Sequence, residues 1–291
     1  MDGIILINKP KNCSSHDIVY KIKKITDKKV GHTGTLDPNA TGILPILIGK
    51  GTQLSKYLIN HNKEYEVVLK LGKKTDTADN EGNIIEEKEV DKKNLDKKNI
   101  NNVLKRFIGK QEQMPPMYSA IKVNGKKLYE YARKEEQINV NPRKIEIYSI
   151  ELQNVKTEEK EISFIVKCSK GTYIRSLCED IAQKLGTVGY MKELNRTKVG
   201  QFILADAITV EEFEKNYKYK EFMEKHLISI ENLFKDNLII KMDDNILKKF
   251  LNGVKLKYDL NDGIYKIYNS KNNFIGIGTI ENKILKRDII I

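Results

Sequence analysis

Gly31-His32-Thr33-Gly34-Thr35-Leu36-Asp37-Pro38-Asn39-Ala40-Thr41-Gly42 packs three glycines, a proline and several hydroxyls into twelve residues. Such a stretch forms a tight loop, because glycine takes positive φ and lets the backbone come close to a ligand that bulkier residues would block. Asp37 stands between apolar Leu36 and the ring of Pro38, so its carboxylate sits on a stiffened turn. Two readings of it are open. One is a carboxylate held for chemistry; the other, commoner for this pair, is an Asp-Pro turn whose side chain caps its own backbone.

Outward from the loop, periodicity assigns the neighbouring elements. Residues 3–7 are an apolar run too short for a signal-peptide core and read as a buried strand. Ser14 and Ser15 can cap a helix with Ile18, Val19, Ile22 and Ile25 on one face. After the loop come a strand at 43–48, a short helix near 52–58, and a half-buried strand at 64–72 with Tyr65, Val67, Leu69 and Leu71 on one side. Residues 73–100 are charged and glycine-punctuated, which predicts a loop followed by a surface helix. The segment at about 112–145 interleaves lysines and arginines with Tyr118, Tyr129 and Tyr131. It reads either as a mobile clamp for RNA or as a solvated helical hairpin. A strand at 162–168 precedes a helix carrying Ile174, Leu177, Cys178, Ile181 and Leu185, stopped at Gly186. Thr209 and Glu212 fit a capping box. From about 233 the chain changes to short strands at 238–242, 263–268, 274–280 and 288–291, the texture of a small β-barrel.

Composition narrows the function classes. Lys and Arg exceed Asp and Glu by 52 to 40, a net charge of +12 that suits a polyanionic partner but also reflects a lysine-rich bias along the whole chain. No apolar run approaches the roughly 20 residues of a membrane span. Cys13, Cys168 and Cys178 form no C-x-x-C pair, which argues against disulfides and a cysteine zinc site and fits a reducing cytoplasm. His16, His32, His61 and His226 lack metal-ligand spacing. Gly49-Lys50-Gly51-Thr52 misses the phosphate-loop pattern, since Gly51 holds the Ser/Thr place.

The loop at 31–42 resembles the signature of the TruB family of tRNA pseudouridine-55 synthases. The resemblance continues in order through Leu6-Ile7-Asn8-Lys9-Pro10, Lys63-Glu64-Tyr65, Thr75-Asp76-Thr77-Ala78-Asp79, Pro115-Pro116-Met117-Tyr118-Ser119-Ala120, Gly171-Thr172-Tyr173-Ile174-Arg175-Ser176 and the stretch 194–200, spanning most of residues 1–205. It implies an α+β fold, with a mixed, mainly antiparallel central sheet, flanking helices and a small C-terminal PUA-like β-barrel. The expected division is a catalytic domain at 1–232, with the basic insertion, and a reduced PUA-like RNA-binding domain at 233–291.

The activity implied is isomerisation of uridine to pseudouridine at position 55 in the T loop of tRNA, by a cytoplasmic monomer. Nothing is oxidised and no group is imported, so no cofactor or metal is called for. By resemblance, Asp37 is the essential carboxylate, acting as nucleophile at C1′ or as base at C2′. Arg175 pairs with it, Tyr65 stacks on the flipped uracil, and Tyr173 and Leu194 form further pocket walls. His32 fills the space left by the base, and Lys9 supports the loop or the RNA backbone. Gly51, Gln53 and Asn195 depart from the common family residues, which weakens local RNA-contact assignments. A guide-RNA-dependent relative and a tRNA-binding or tRNA-folding protein are the competing readings.

Overall fold

The strand Lys63–Leu71 alternates buried and open positions, with Tyr65, Val67, Leu69 and Leu71 inward. It lies at the middle of a ten-stranded sheet in the computed structural model, which describes residues 1–134, 136 and 138–291. From one edge the order is Ile228–Ser229, Gly3–Lys9, Thr41–Ile48, Gly189–Val199, Lys63–Leu71, Glu161–Cys168, Arg143–Lys156 and Gly109–Gln113. Val30–His32 and Phe202–Ile203 attach as short extra strands. All pairings in this sheet are antiparallel except one. Thr41–Ile48 meets Gly189–Val199 in parallel, through Thr41 opposite Asn195 and Gly42 opposite Arg196.

Both faces of the sheet are covered along the strand Gly3–Lys9, which explains its unbroken apolar run. Ile5 and Ile7 pack with Ile18, Val19 and Ile22 of the helix Ser15–Thr26 and with Phe213 of the helix Val210–Asn216. Ile4 and Leu6 point the other way, into a cluster that also takes Ile43, Leu47, Val199 and, from the C-terminal segment, Ile277 and Ile289. Across the seam, Tyr65, Val67, Phe164 and Val166 pack on Ile174, Leu177 and Ile181 of the helix Ile174–Lys184. Cys178 is 0 % exposed and belongs to that core.

The C-terminal segment is a curled five-stranded sheet in the order Ile239–Lys241, Gly263–Tyr268, Phe274–Glu281, Ile284–Ile290 and Leu256–Lys257. Its inner face forms a separate core around Phe250, Tyr265, Ile267 and Leu285. Asp288 bonds Lys56 and Tyr57 of the main sheet's periphery, and Tyr57 meets Phe234 edge to face at 5.1 Å.

Several elements differ from the sequence expectation. Lys73–Thr75 and Ile84–Glu87 form a hairpin where a loop was predicted. The following helix, Lys97–Lys105, is a surface helix that exposes Lys97, Lys98, Asn102 and Lys105 and buries Ile100, Val103 and Leu104, and it runs beyond the predicted segment. Residues 49–58 divide into the 3-10 helix Gly49–Leu54 and a single α-turn, Ser55–Leu58. The helix Asp244–Leu251, capped by Asp243, stands among the C-terminal strands, where the spacing of glycines and asparagines predicts strands alone. At Thr209 the hydroxyl accepts from the Glu212 N–H at 3.0 Å, the side-chain half of the capping box. Among the described residues of 112–145 there is a small hairpin, Lys122–Val123 with Lys126–Lys127, and the short helix Leu128–Ala132; positions 135 and 137 lie outside the described residues.

Gly42 has φ +108°, and a Cβ there would fall 2.3 Å from the Arg196 carbonyl oxygen. Gly42→Ala should therefore lower the unfolding free energy by at least about 2 kcal/mol. Urea denaturation of the two proteins measures this.

Candidate active site

The loop that carries Asp37 is fastened from below by two side chains. Ser15, the first residue of its helix and 1 % exposed, bonds the Leu36 N–H at 2.8 Å and the Leu36 carbonyl at 3.1 Å with one hydroxyl. The helix begins there because Ser14 caps it reciprocally with Asp17. Lys9, at the end of its strand and 0 % exposed, donates to the carbonyls of Pro10 at 2.9 Å, Cys13 at 2.7 Å and Pro38 at 2.9 Å. All three of its protons are thereby committed to the loop and its surroundings. The Ala40 N–H closes the turn on the Asp37 carbonyl at 3.1 Å.

Above the loop, Arg175 grips the Asp37 carboxylate with two nitrogens, Nε to Oδ2 at 3.0 Å and Nη2 to Oδ1 at 3.2 Å. This fork geometry fixes direction as well as charge. Arg175 sits in the first turn of the helix Ile174–Lys184 and is itself held by the carbonyls of Thr77 at 3.1 Å and Tyr118 at 2.8 Å. Its other flank faces Asp79 at 3.7 Å. That second carboxylate is kept in place by the Thr77 hydroxyl at 2.6 Å and the Glu81 N–H at 3.1 Å.

Burial pushes the Asp37 carboxyl above the usual carboxylate range, and the neighbouring Asp79 charge adds to the rise; Arg175 and Lys9 pull against them. The side chain still keeps 32 % of its surface open, on the side of the cavity. The chemical result is an oriented carboxylate, partly stripped of water, with its open side toward a ligand.

That cavity holds about 900 Å³ and is walled by Asp37, Tyr65, Tyr173, Leu194 and Arg175, together with Lys63 and Arg196. Tyr65 and Leu194 come from adjacent strands, in which Tyr65 faces Arg196 and Val67 faces Leu194. Burial pushes the Tyr65 phenol up to about 12, with Arg196 working the other way. Tyr173 is fixed by Gln113, whose side-chain oxygen accepts the Tyr173 N–H at 2.8 Å and whose amide donates to the Tyr173 carbonyl at 3.0 Å. His32 and Lys9 are not among the walls. His32 ends the strand Val30–His32, its Nδ1 is buried without a partner, and burial followed by the Arg196 charge lowers its pKa.

Known proteins are similar to this chain over nearly its whole length. The profile described as "TruB family pseudouridylate synthase (N terminal domain)" matches residues 22–174. The chain belongs to the TruB family. The profile of the tRNA pseudouridylate synthase B C-terminal domain matches residues 175–244. A tRNA pseudouridine synthase B of Clostridium kluyveri is 43 % identical over 285 residues, covering 96 % of this chain and 95 % of its own. The Mesoplasma florum protein of that name is 43 % identical over 282 residues, covering 96 % and 94 %. In fold, the chain is similar to an H/ACA ribonucleoprotein bound to a substrate RNA containing 2′-deoxyuridine, with a TM-score of 0.71 at 23 % identity over 99 % of this chain and 85 % of that one.

For this TruB-family chain, sequence reasoning had passed over several groups that build the site. Asp79 lies in a Thr-Asp-Thr-Ala-Asp run whose paired carboxylates were a readable signal. Gln113, Ser15 and Arg196 gave none: each is a single polar residue in an otherwise ordinary element, and its partner is remote in sequence. Ser15→Ala would leave both polar groups of Leu36 without their partner, at a cost of about 1–3 kcal/mol. Amide exchange at Leu36 should quicken by an order of magnitude or more, with the rest of the helix Ser15–Thr26 unchanged.

Proposed function

We propose that this enzyme converts uridine to pseudouridine at position 55 of the tRNA T loop, acting as a cytoplasmic monomer, with Asp37 as its essential carboxylate. The observation that carries the reading is the forked Asp37–Arg175 pair opening into a cavity walled by Tyr65. The target uridine leaves its stack, at a cost of a few kcal/mol, and Tyr65 supplies a replacement stacking face worth about 1–3 kcal/mol. Tyr173 and Leu194 close the walls around it. Asp37 then either attacks C1′ or removes the C2′ proton; both routes break N1–C1′, allow the base to turn, and let C5 bond to C1′. Lys9 keeps the carboxylate loop in place, and His32, outside the cavity wall, fills the space that the base leaves in the RNA.

The basic walls add attraction for the phosphate backbone: Arg143, Lys144 and Lys170 lie at the cavity rim. The insertion at 112–145 brings Tyr118 to the arginine and Tyr129 to the cavity, which supports its role as a clamp on the stem-loop. We place the division between catalytic and PUA-like parts at 232/233. The main sheet's last strand in sequence, Ile228–Ser229, and the C-terminal sheet's first, Ile239–Lys241, flank that point, although the C-terminal family profile crosses it.

Tritium release from C5-labelled uridine in a tRNA T stem-loop tests the reading. Wild type should release it in the presence of EDTA; Asp37→Asn should release none while its RNA affinity stays within a few-fold. Loss of binding in that variant would make Asp37 a turn residue.

The acid limb of the rate profile should lie above the ordinary carboxylate range, since a carboxyl whose pKa is raised becomes ionised, and active, only at higher pH. Arg175 holds that pKa down, so Arg175→Gln should move the limb further up as well as cut turnover by roughly 100-fold or more. A limb that stays in place would separate Arg175 from the ionisation of Asp37.

A further inference from the structure

Among the described residues, two buried cations in the cavity wall have no acidic partner. Arg196 is 1 % exposed, and its guanidinium spends donors on the carbonyls of Ile43 at 2.9 Å and Gly34 at 3.1 Å. Lys63 is 9 % exposed and donates to the carbonyls of His61 at 2.5 Å and Ile59 at 3.4 Å. Among the described residues neither forms an ion pair, unlike Arg175, which has two carboxylates beside it. The two converge: the point where a Cβ on Gly34 would stand is 3.4 Å from Arg196 Nη1 and 3.8 Å from Lys63 Cε. Tyr65 lines the same wall, opposite Arg196 across the strand pair and two residues from Lys63.

Burying a cation without a counter-charge is costly, and setting a second beside it costs more. Burial and the Arg196 charge accordingly pull the Lys63 ammonium down to about 8. The carbonyls offset part of that cost, and an arriving anion would offset more. The proposed reaction makes one. When N1–C1′ breaks, its electron pair leaves on N1, and the uracil carries a negative charge spread over N1, O2 and O4. This holds whether Asp37 forms a bond to C1′ or takes the C2′ proton to leave a C1′–C2′ double bond. When C5 then bonds to C1′, the Asp37–C1′ bond breaks, or on the other route Asp37 returns its proton to C2′; the C5 proton goes to solvent and N1 takes one up, so nothing is oxidised or reduced. Asp37 and Arg175 cannot carry the leaving charge, because that arginine is already shared by two carboxylates.

We propose that Lys63 and Arg196 are an anion site for the departing uracil, behind and beside the stacking face of Tyr65. The inference rests on the uridine-isomerising reading of the cavity. Preorganised charge aimed at a developing anion in a water-poor site is among the largest catalytic effects available. Its benefit appears in the chemical step and not in RNA affinity, because the ground-state uridine is neutral.

The experiment is single-turnover conversion of a T stem-loop carrying uridine or 5-fluorouridine at the target, read as loss of the target nucleoside after digestion. Wild type, Lys63→Met, Lys63→Arg and Arg196→Lys are compared, with thermal melts and RNA binding measured on each. Lys63→Met should slow conversion of uridine by roughly 100-fold with RNA affinity kept within about threefold, and Lys63→Arg should recover most of the rate. Fluorine withdraws electron density and stabilises the anion, so the Lys63→Met deficit should shrink to below roughly tenfold on 5-fluorouridine. An unchanged rate on uridine, or an equal fractional loss on both nucleosides, would overturn the proposal. Arg196→Lys should show the same narrowing; if it melts early because the loop carbonyls lose their donor, the Lys63 arm still decides. Wild type failing to convert uridine would instead remove the reading of the cavity itself.

Discussion

The structure depends on a parallel contact only two residue pairs long, Thr41 with Asn195 and Gly42 with Arg196, that joins the two halves of the main sheet. On one side lie the strands that pack against the helix Ser15–Thr26; on the other lie those that pack against the helix Ile174–Lys184. The loop with Asp37 leads directly into this contact, while Arg175 comes from the far half. Any shift of one half against the other would part the carboxylate from its guanidinium. Gly42 permits the approach because it has no side chain, and Arg196 reinforces it by reaching back to the Ile43 and Gly34 carbonyls. The same backbone requirement thus sets the fold and aligns the site.

The site's electrostatics follow from opposed costs. Leaving Asp37 in a confined cavity favours its neutral acid; placing Arg175 against it favours the ion. Asp79 stops the arginine from serving Asp37 alone, since a guanidinium shared by two carboxylates neutralises neither completely. Carbonyls from Thr77 and Tyr118 then use up the remaining donors, so the arginine has no alternative position of similar energy. The carboxylate is held rigidly and is still reactive.

Much of this was legible in the chain. Alternation at Tyr65, Val67, Leu69 and Leu71 marked a strand because one face is more open, and the Ser14-Ser15 pair marked a helix start because capping is local, although the reciprocal partner, Asp17, was not read. The hairpin at 73–87 was not legible, because its strands bury almost nothing and follow no hydrophobic period. The helix Asp244–Leu251 lay inside a segment whose glycines and asparagines pointed to strands, and its apolar positions count only once the sheet beside it exists. In the site, Asp37 stood out through its turn chemistry, and Arg175 and Tyr65 gained meaning only through family resemblance. Arg196 could not be found either way from local pattern, since a lone arginine in a strand ordinarily faces water.

The strand Gly3–Lys9 is enclosed by partners drawn from remote parts of the chain: Gly3 pairs with Ser229, and Ile4 and Leu6 share a cluster with Ile277 and Ile289. During synthesis this strand emerges early and its last covering emerges late. For most of translation its apolar residues have at best half a shelter, a state prone to sticking to other chains. With so many contacts between distant segments, closure of the sheet should be slow beside helix formation. The cover on one side of this first strand is thus completed only by Ile277 and Ile289, which are among the last residues to be made.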